Sequence, residues 1–164
     1  MIIRNETADD IPAIRRVICA AFDQSAEADL VDSLRDCGAI AFSLVAQDQT
    51  GIVGHVLYSR FQVPQHCLAL APVSVAPQCQ NTGIGSKLIR EGLARARQEN
   101  WQAVFVLGEP DYYQRFGFSA RMADKFDTPY PKPYFMALEL VPDALKQCSG
   151  EIIYAEPFLA LEEN

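Results

Sequence analysis

The chain has 164 residues, of which 14 are basic and 21 acidic, so its formal charge at pH 7 is −7. Apolar residues make up 49% of the chain, which excludes a disordered protein and is typical of one soluble domain spanning residues 1–164. An acidic chain also lacks the basic surface that nonspecific nucleic-acid binding and adhesion to anionic membranes require, so we expect neither partner.

The first third of the chain predicts a short strand followed by two helices. Residues 2–4 read as the strand, and the apolar residues of 11–22 recur at helical spacing. The apolar spacing of residues 26–36 predicts a second amphipathic helix. Gly38 stands just past its end, where a glycine commonly terminates a helix.

In the middle of the chain, the spacing of the apolar residues changes from the helical period to that of extended strands. Residues 42–47, 52–63 and 66–75 read as three strands, and their short connections make them antiparallel neighbours. Residues 84–96 then place their apolar side chains on one face of a long helix, and residues 101–107 form an apolar run of strand length. This order predicts a crossover between parallel strands.

The last third predicts smaller elements. A short segment at 111–116 is followed by a proline-rich stretch at 129–133, a strand at 135–141, one helical turn at 142–145 and an apolar segment at 152–154. The chain as a whole predicts an α/β fold, in which helices cover both faces of a mixed, mostly antiparallel twisted sheet of about six to seven strands.

The cysteines indicate the compartment. The chain has five, an odd number, and they are widely spaced, which predicts neither a disulfide framework nor a zinc site. Its apolar runs fall far short of the roughly 20 residues that a bilayer-spanning helix requires. We therefore expect a reduced, cytoplasmic protein without a metal.

Charge is spread unevenly along the chain. Residues 1–50 and 101–164 each carry −5, whereas residues 51–100 carry +3. The positive charge of the middle third comes mainly from Lys87, Arg90, Arg95 and Arg97 on the predicted long helix. These side chains either contact an anionic ligand or form an ordinary solvated helix face.

The densest chemical signal is the segment 73–88, where a predicted buried strand enters the long helix through a polar turn. Gly83 and Gly85 allow the backbone to approach a ligand closely, and the first helical turn presents free N–H groups. Such an arrangement favours phosphate groups. The glycine spacing fits neither a Walker A loop nor a dinucleotide fingerprint.

This segment resembles the central motif of the GNAT superfamily of N-acetyltransferases, V-x-P-x-x-[QR]-x-x-G-[IL]-[GA]. All six fixed positions are matched, by Val75, Pro77, Gln80, Gly83, Ile84 and Gly85. The resemblance implies a cofactor cleft between the fourth and fifth strands that takes acetyl-CoA as acyl donor. It also implies two groups of cofactor contacts: Val73, Ser74 and Val75 beside the pantetheine and acetyl group, and Gln80, Asn81, Thr82, Gly83, Ile84, Gly85 and Ser86 around the diphosphate.

A second match lies downstream at residues 112–118, which resemble the family's short helix [FY]-Y-x-x-x-G-F. By this resemblance Tyr113 is the catalytic acid that protonates the departing thiolate of coenzyme A. A phenol with an ordinary pKa near 10 is protonated at neutral pH and roughly matched to a thiol. The alternative is that Tyr113 only packs beside Phe116.

The resemblance covers nearly the full length, and residues 44–46, 54–56 and 107–113 look most like the bacterial YhbS-like branch. The chain departs from the family at Leu107 and Gly108. Many members have an asparagine near this point that contacts the pantetheine, so that contact is not carried over.

The residues do not single out a general base. Glu27, Glu109, Asp111, His55 and His66 are all candidates, and a chain of water molecules could carry the proton instead. Glu27 and Asp111 also fit as solvated acids at helix ends, and the two histidines also fit as structural residues of the strands.

The leading hypothesis is an acetyl-CoA-dependent N-acetyltransferase in which a primary amine attacks the thioester directly. The amine belongs to a small molecule, a peptide or a protein, and the sequence leaves acyl chain length and a homodimer open. The alternative is a noncatalytic acyl-CoA-binding sensor or regulatory module. Retention of Tyr113 favours the enzyme, and the lack of an obvious base favours the sensor.

Overall fold

A six-stranded mixed sheet runs through the computed structural model, which describes residues 1–162. Its strands lie in the order β1-β2-β3-β4-β5-β7, and every neighbouring pair is antiparallel except β4 and β5. The strands are β1 (Ile2–Asn5), β2 (Ile40–Asp48), β3 (Gly51–Arg60), β4 (Cys67–Val75), β5 (Ala103–Leu107) and β7 (Phe135–Glu139). A separate two-stranded sheet pairs β6 (Phe126–Asp127) with β8 (Gly150–Glu151).

Helices cover both faces of the large sheet, as the sequence predicts. They are α1 (Ile11–Phe22), α2 (Ala26–Asp36), α3 (Ile84–Gln98), α4 (Pro110–Tyr113) and α5 (Glu156–Glu162). Side chains alternate along β3, so Leu57 packs in the core beneath α1 and α2 while Val56 and Tyr58 pack in the core beneath α3. Helices α1, α2 and α3 each bury the apolar stripe that their spacing defines.

Helix α3 lies close against β3 because Gly92 carries no side chain where the two elements meet. A Cβ atom there would lie only 2.3 Å from Cε2 of Tyr58. The Tyr58 hydroxyl donates a hydrogen bond to the Ile89 carbonyl at 3.0 Å, which ties the strand to the second turn of the helix. This contact holds α3 against β3.

The parallel pair separates along its length. Strand β5 pairs with residues 67–69 of β4 at the amino ends of both strands, whereas β4 continues to Val75. The carboxyl-terminal half of β4 therefore borders a cleft on the side of β5, which agrees with the predicted cleft between the fourth and fifth strands. The crossover through α3 is also confirmed, since β4 and β5 are parallel.

Element ends differ from the predicted bounds at several places. The third strand ends at Arg60 instead of residue 63, because the backbone N–H groups of Gln62 and Val63 donate to the Ile153 carbonyl and no longer pair within the large sheet. Residues 142–147 form hydrogen-bonded turns and not a helical turn. Helix α5 at Glu156–Glu162 was not predicted. Within residues 1–162, no helix is both long and apolar enough to cross a membrane.

Candidate active site

A cavity of about 620 Å³ opens where the end of β4, the start of α3 and helix α4 meet. Residues from the end of α1 complete its wall. The cavity is lined by Ala21, Phe22, Val73, Val75, Cys79, Gln80, Asn81, Gly83, Ile84, Gly85, Ser86, Tyr112, Tyr113 and Arg115. Eight of the ten residues predicted to bind the cofactor are in this wall.

The turn between β4 and α3 is shaped by its own hydrogen bonds. The side-chain amide of Gln80 donates to the Val75 carbonyl at 3.0 Å, and the Thr82 hydroxyl donates to the Cys79 carbonyl. Gly83 has φ of +91° and is the N-cap of α3, a left-handed conformation that glycine adopts without steric cost. The first N–H groups of α3 have no partner within the helix, so they carry partial positive charge toward the cavity.

Gly85 keeps the cavity open between three elements. A Cβ atom at this position would lie 3.4 Å from the Tyr112 hydroxyl, 3.7 Å from Cγ2 of Val75 and 4.0 Å from Cγ1 of Val73. A methyl group there would make ordinary van der Waals contacts and would fill space where α3, β4 and α4 meet. A ligand in the cavity would touch all three elements.

Two predicted ligand residues are not in the cavity wall. Ser74 is 1% exposed and lies opposite His55 in the β3–β4 register, on the face of the sheet away from Val73 and Val75. The exposed Thr82 uses its hydroxyl within the turn. Contacts of Ser74 and Thr82 with a ligand would have to come from the backbone.

Tyr113 packs its ring against the backbone of Gly108. A Cβ atom on Gly108 would lie 2.4 Å from Cε2 of Tyr113, so only glycine leaves room for the ring. The ring also meets Phe118 and Tyr112 edge to face, with centroids 5.9 Å and 5.0 Å away. Burial, and to a lesser extent the neighbouring Tyr112, raise the pKa of Tyr113 to about 12, which keeps the phenol protonated at neutral pH.

Other residues of the cavity wall were not predicted as site residues from the sequence. Tyr112 places its hydroxyl 3.4 Å from the Ser86 hydroxyl oxygen, and Arg115 holds its guanidinium 4.6 Å from the centre of the Tyr112 ring. Both stand inside the matched motif 112–118, so that motif was a usable signal. Ala21 and Phe22 at the end of α1 had no local signal, because only the tertiary fold brings α1 to the cavity.

The candidate bases lie elsewhere. Among the described residues, the cavity wall contains no carboxylate and no imidazole, so it includes none of Glu27, His55, His66, Glu109 and Asp111. Glu109 and Asp111 are exposed at the start of α4, His66 is exposed before β4, and Glu27 accepts hydrogen bonds from the Gln24 amide.

His55 is a core residue. Its side chain is fully buried, and Nε2 lies 3.1 Å from the hydroxyl oxygen of Ser43, which is also hydrogen-bonded to Glu6. Burial, with a smaller contribution from the positive charge of Arg35, lowers the pKa of His55 to about 3. The imidazole is therefore neutral at physiological pH.

The basic side chains of α3 do not converge on one positively charged site. Arg95 pairs with Glu99 at 2.6 Å and stacks on Phe42 at 4.7 Å, so it is engaged outside the cavity. Arg90 stacks over Phe116 at 5.0 Å, and Lys87 and Arg97 are exposed. Within residues 1–162, no group of three or more His, Cys, Asp or Glu side chains is arranged to hold a metal ion.

Comparison with known proteins places this geometry in a family. Residues 11–118 match the model of the Acetyltransferase (GNAT) family. The chain is 33% identical over 164 residues to the Uncharacterized N-acetyltransferase YhbS of Escherichia coli K12, covering 96% of this chain and 98% of that protein.

Two solved structures share the fold. One is the E. coli GNAT family N-acetyltransferase YhbS in complex with CoA, with a TM-score of 0.90 and 32% identity, covering 96% of this chain and 91% of that chain. The other is a GNAT family acetyltransferase from Brucella melitensis in complex with acetyl-CoA, with a TM-score of 0.81 and 36% identity, covering 96% and 97%. The match to the family model and the 33% identity to YhbS over nearly the full length together mean that this chain belongs to the GNAT family of acetyltransferases.

Proposed function

We propose that this protein is an acetyl-CoA-dependent N-acetyltransferase that transfers the acetyl group to a primary amine by direct attack. The observation that carries the proposal is that one cavity joins the end of β4, the amino-terminal turn of α3 and the protonated phenol of Tyr113. The similar E. coli and Brucella proteins were solved with CoA and acetyl-CoA, which supports the same cofactor here.

In this proposal the cofactor lies along the cavity wall. The backbone of Val73, Ser74 and Val75 borders the pantetheine arm and the acetyl group. The turn from Gln80 to Ser86 surrounds the diphosphate, where unpaired N–H groups at the start of α3 favour negative charge. Ser74 and Thr82 contribute backbone only, since their side chains are buried or engaged within the turn.

The chemical step needs a neutral amine and an acid for the leaving group. The amine nitrogen forms a bond to the thioester carbonyl carbon while a backbone N–H stabilises the developing oxyanion. The carbon–sulfur bond then breaks, and the thiolate takes the proton of the Tyr113 hydroxyl. Water takes the proton that the ammonium loses before the attack. After the carbon–nitrogen bond has formed, water passes the excess proton of that nitrogen to the tyrosinate, because the described cavity wall offers no carboxylate or imidazole.

Tyr113→Phe tests the assigned acid. We expect kcat to fall on the order of 100-fold, because a general acid contributes about that much, while the Kd for CoA stays within about twofold. Release of free thiol from acetyl-CoA with a panel of polyamines, amino acids, aminoglycosides and peptides measures turnover, and calorimetry measures binding. Tyr134→Phe is a matched control, since Tyr134 does not line the cavity. Equal losses of turnover and affinity in Tyr113→Phe would contradict the role.

A noncatalytic acyl-CoA sensor is the second candidate. The absence of a carboxylate or imidazole from the described cavity wall favours it, because no side chain there can accept the proton of an ammonium. The same amine panel separates the two functions. Tight binding of acetyl-CoA without acceptor-dependent thiol release supports the sensor, and release that depends on an amine supports the enzyme.

A further inference from the structure

Two arginines stack on neighbouring aromatic rings beside the cavity. The guanidinium carbon of Arg115 lies 4.6 Å from the centre of the Tyr112 ring, and that of Arg90 lies 5.0 Å from the centre of the Phe116 ring. The two rings meet edge to face with their centres 5.4 Å apart. Arg115, Tyr112, Phe116 and Arg90 thus form a continuous set of contacts, which we call the arginine–aromatic row.

The positive charges of this row have no acidic partner within the described residues. Arg4, Arg15, Arg35 and Arg95 each form an ion pair, whereas Arg90 and Arg115 form none within residues 1–161. Aromatic rings hold a guanidinium through its face and leave its N–H groups at the edge available. In a chain with a charge of −7, two such cations on rings whose centres lie 5.4 Å apart provide a local site for an anion.

One end of the row, formed by Arg115 and Tyr112, lies in the cavity wall with residues of the turn between β4 and α3. Arg115 lines the same cavity as residues Gln80 and Ser86, and the Tyr112 hydroxyl lies 3.4 Å from the Ser86 hydroxyl oxygen. Coenzyme A carries two separate anionic groups, the diphosphate and a phosphate on the 3′ carbon of the ribose. When the diphosphate occupies the turn, a second phosphate a few bonds away needs cations next to the turn, and the row supplies them.

We propose that Arg115, with Arg90 beside it, binds the 3′-phosphate of coenzyme A, so that this protein selects coenzyme A over 3′-dephospho-coenzyme A. A guanidinium recognises a phosphate through two parallel N–H donors, which adds both affinity and selectivity. The inference rests on the coenzyme A site of the proposed function. It does not depend on turnover, because selection occurs at binding.

Calorimetric titration with CoA and with 3′-dephospho-CoA tests the assignment. We expect the unmodified protein to bind CoA about tenfold more tightly, since one charge-assisted contact is lost in the dephospho ligand. Arg115→Gln should weaken CoA binding about tenfold and leave dephospho-CoA within about twofold. Arg90→Gln should reduce the same preference to a smaller extent.

Arg97→Gln is the matched control, because it removes one charge from the same helix at an exposed position outside the cavity. Its preference for CoA should be unchanged. Higher salt should reduce the preference of the unmodified protein, since exposed charge interactions are screened. Circular dichroism checks folding. If Arg115→Gln does not fold, Arg115→Lys, which keeps the charge but loses the two-donor geometry, should show an intermediate preference.

The outcomes separate this inference from the proposed function. Equal weakening of both ligands by Arg115→Gln, or an unchanged preference in Arg115→Gln, would overturn the assignment of the 3′-phosphate. If only Arg115→Lys folds, equal weakening of both ligands in that variant would overturn it. Equal binding of both ligands by the unmodified protein would overturn the inference and leave the proposed transferase intact. Failure of the unmodified protein to bind CoA at all would overturn both.

Discussion

Gly108 determines where the ring of Tyr113 can lie. The sequence shows only that Leu107 and Gly108 stand where many GNAT members have an asparagine, whereas the structure shows that the Gly108 backbone packs on the Tyr113 ring. We expect Gly108→Ala to displace the ring, because the added Cβ atom would lie 2.4 Å from Cε2 of Tyr113. If Tyr113 is the acid, kcat should fall about tenfold or more, as measured by thiol release.

A double substitution provides the control for Gly108→Ala. In the Tyr113→Phe background the hydroxyl is already absent, so the added methyl group should have little further effect on kcat. The Kd for CoA should change less than kcat in the single variant. A large further loss of turnover in the double variant would show that Gly108 acts on the reaction through something other than the Tyr113 hydroxyl.

At the scale of elements, the close contact of α3 with β3 positions the phosphate turn. Gly92→Ala tests this contact. In an exposed helix this change usually stabilises a protein by about 0.5–1 kcal/mol, but here the new Cβ atom would lie 2.3 Å from the buried ring of Tyr58. We expect the free energy of unfolding to fall by about 1–3 kcal/mol, as measured by urea denaturation.

Tyr58→Leu supplies the control, since it removes the ring atoms that meet Gly92. In that background Gly92→Ala should have a much smaller effect on the free energy of unfolding. Independent, additive losses from the two substitutions would mean that the steric contact between α3 and β3 does not limit stability.

At the scale of the whole molecule, a partly buried polar network connects β2 and β3 with α2. Glu6, which follows β1, forms hydrogen bonds with Ser43 of β2 and with Arg35 of α2, the latter at 2.8 Å. His55 of β3 places Nε2 3.1 Å from the Ser43 hydroxyl oxygen and 4.0 Å from the Glu6 carboxylate. The network holds a neutral imidazole in the core.

This network predicts acid sensitivity. The pKa of His55 is about 3 in the folded protein against 6.5 for a solvated histidine, so the unfolded chain binds a proton more tightly. The contribution of the unprotonated His55 to the free energy of unfolding is therefore fully present above pH 6.5, and it is lost as the pH falls toward 3. The free energy of unfolding should decrease by up to about 1.4 kcal/mol per pH unit within that window, as measured by urea denaturation between pH 4.5 and 6.5.

His55→Gln should flatten this dependence, because the substituted side chain does not titrate. The ion pair of Arg4 with Asp10 does not confuse the result. A hydrogen bond from Arg4 holds the pKa of Asp10 well below its usual value of 3.8, so its contribution begins to be lost only as the pH approaches 3.8, below the measured range of pH 4.5–6.5. An identical slope in His55→Gln would mean that another group causes the acid sensitivity.

Much of the fold could be predicted because its signals are local. The apolar spacing of α1 and α2 predicted their bounds correctly, and the order of β4, α3 and β5 predicted their parallel crossover. The two-residue strands β6 and β8 could not be predicted, since a pair this short is formed by long-range contact and not by its own pattern.

The sequence by itself determined the family, the α/β fold, and the turn and tyrosine that form the candidate site, because short contiguous motifs encode a backbone turn and a helix start. Only the tertiary structure decided which side chains reach the cavity. It turned Ser74 away from the wall and brought Phe22 and Arg115 into it, and it buried His55 in the core. The physical reason is that strand alternation and helix packing, which set the direction of each side chain, depend on partners far away in the chain.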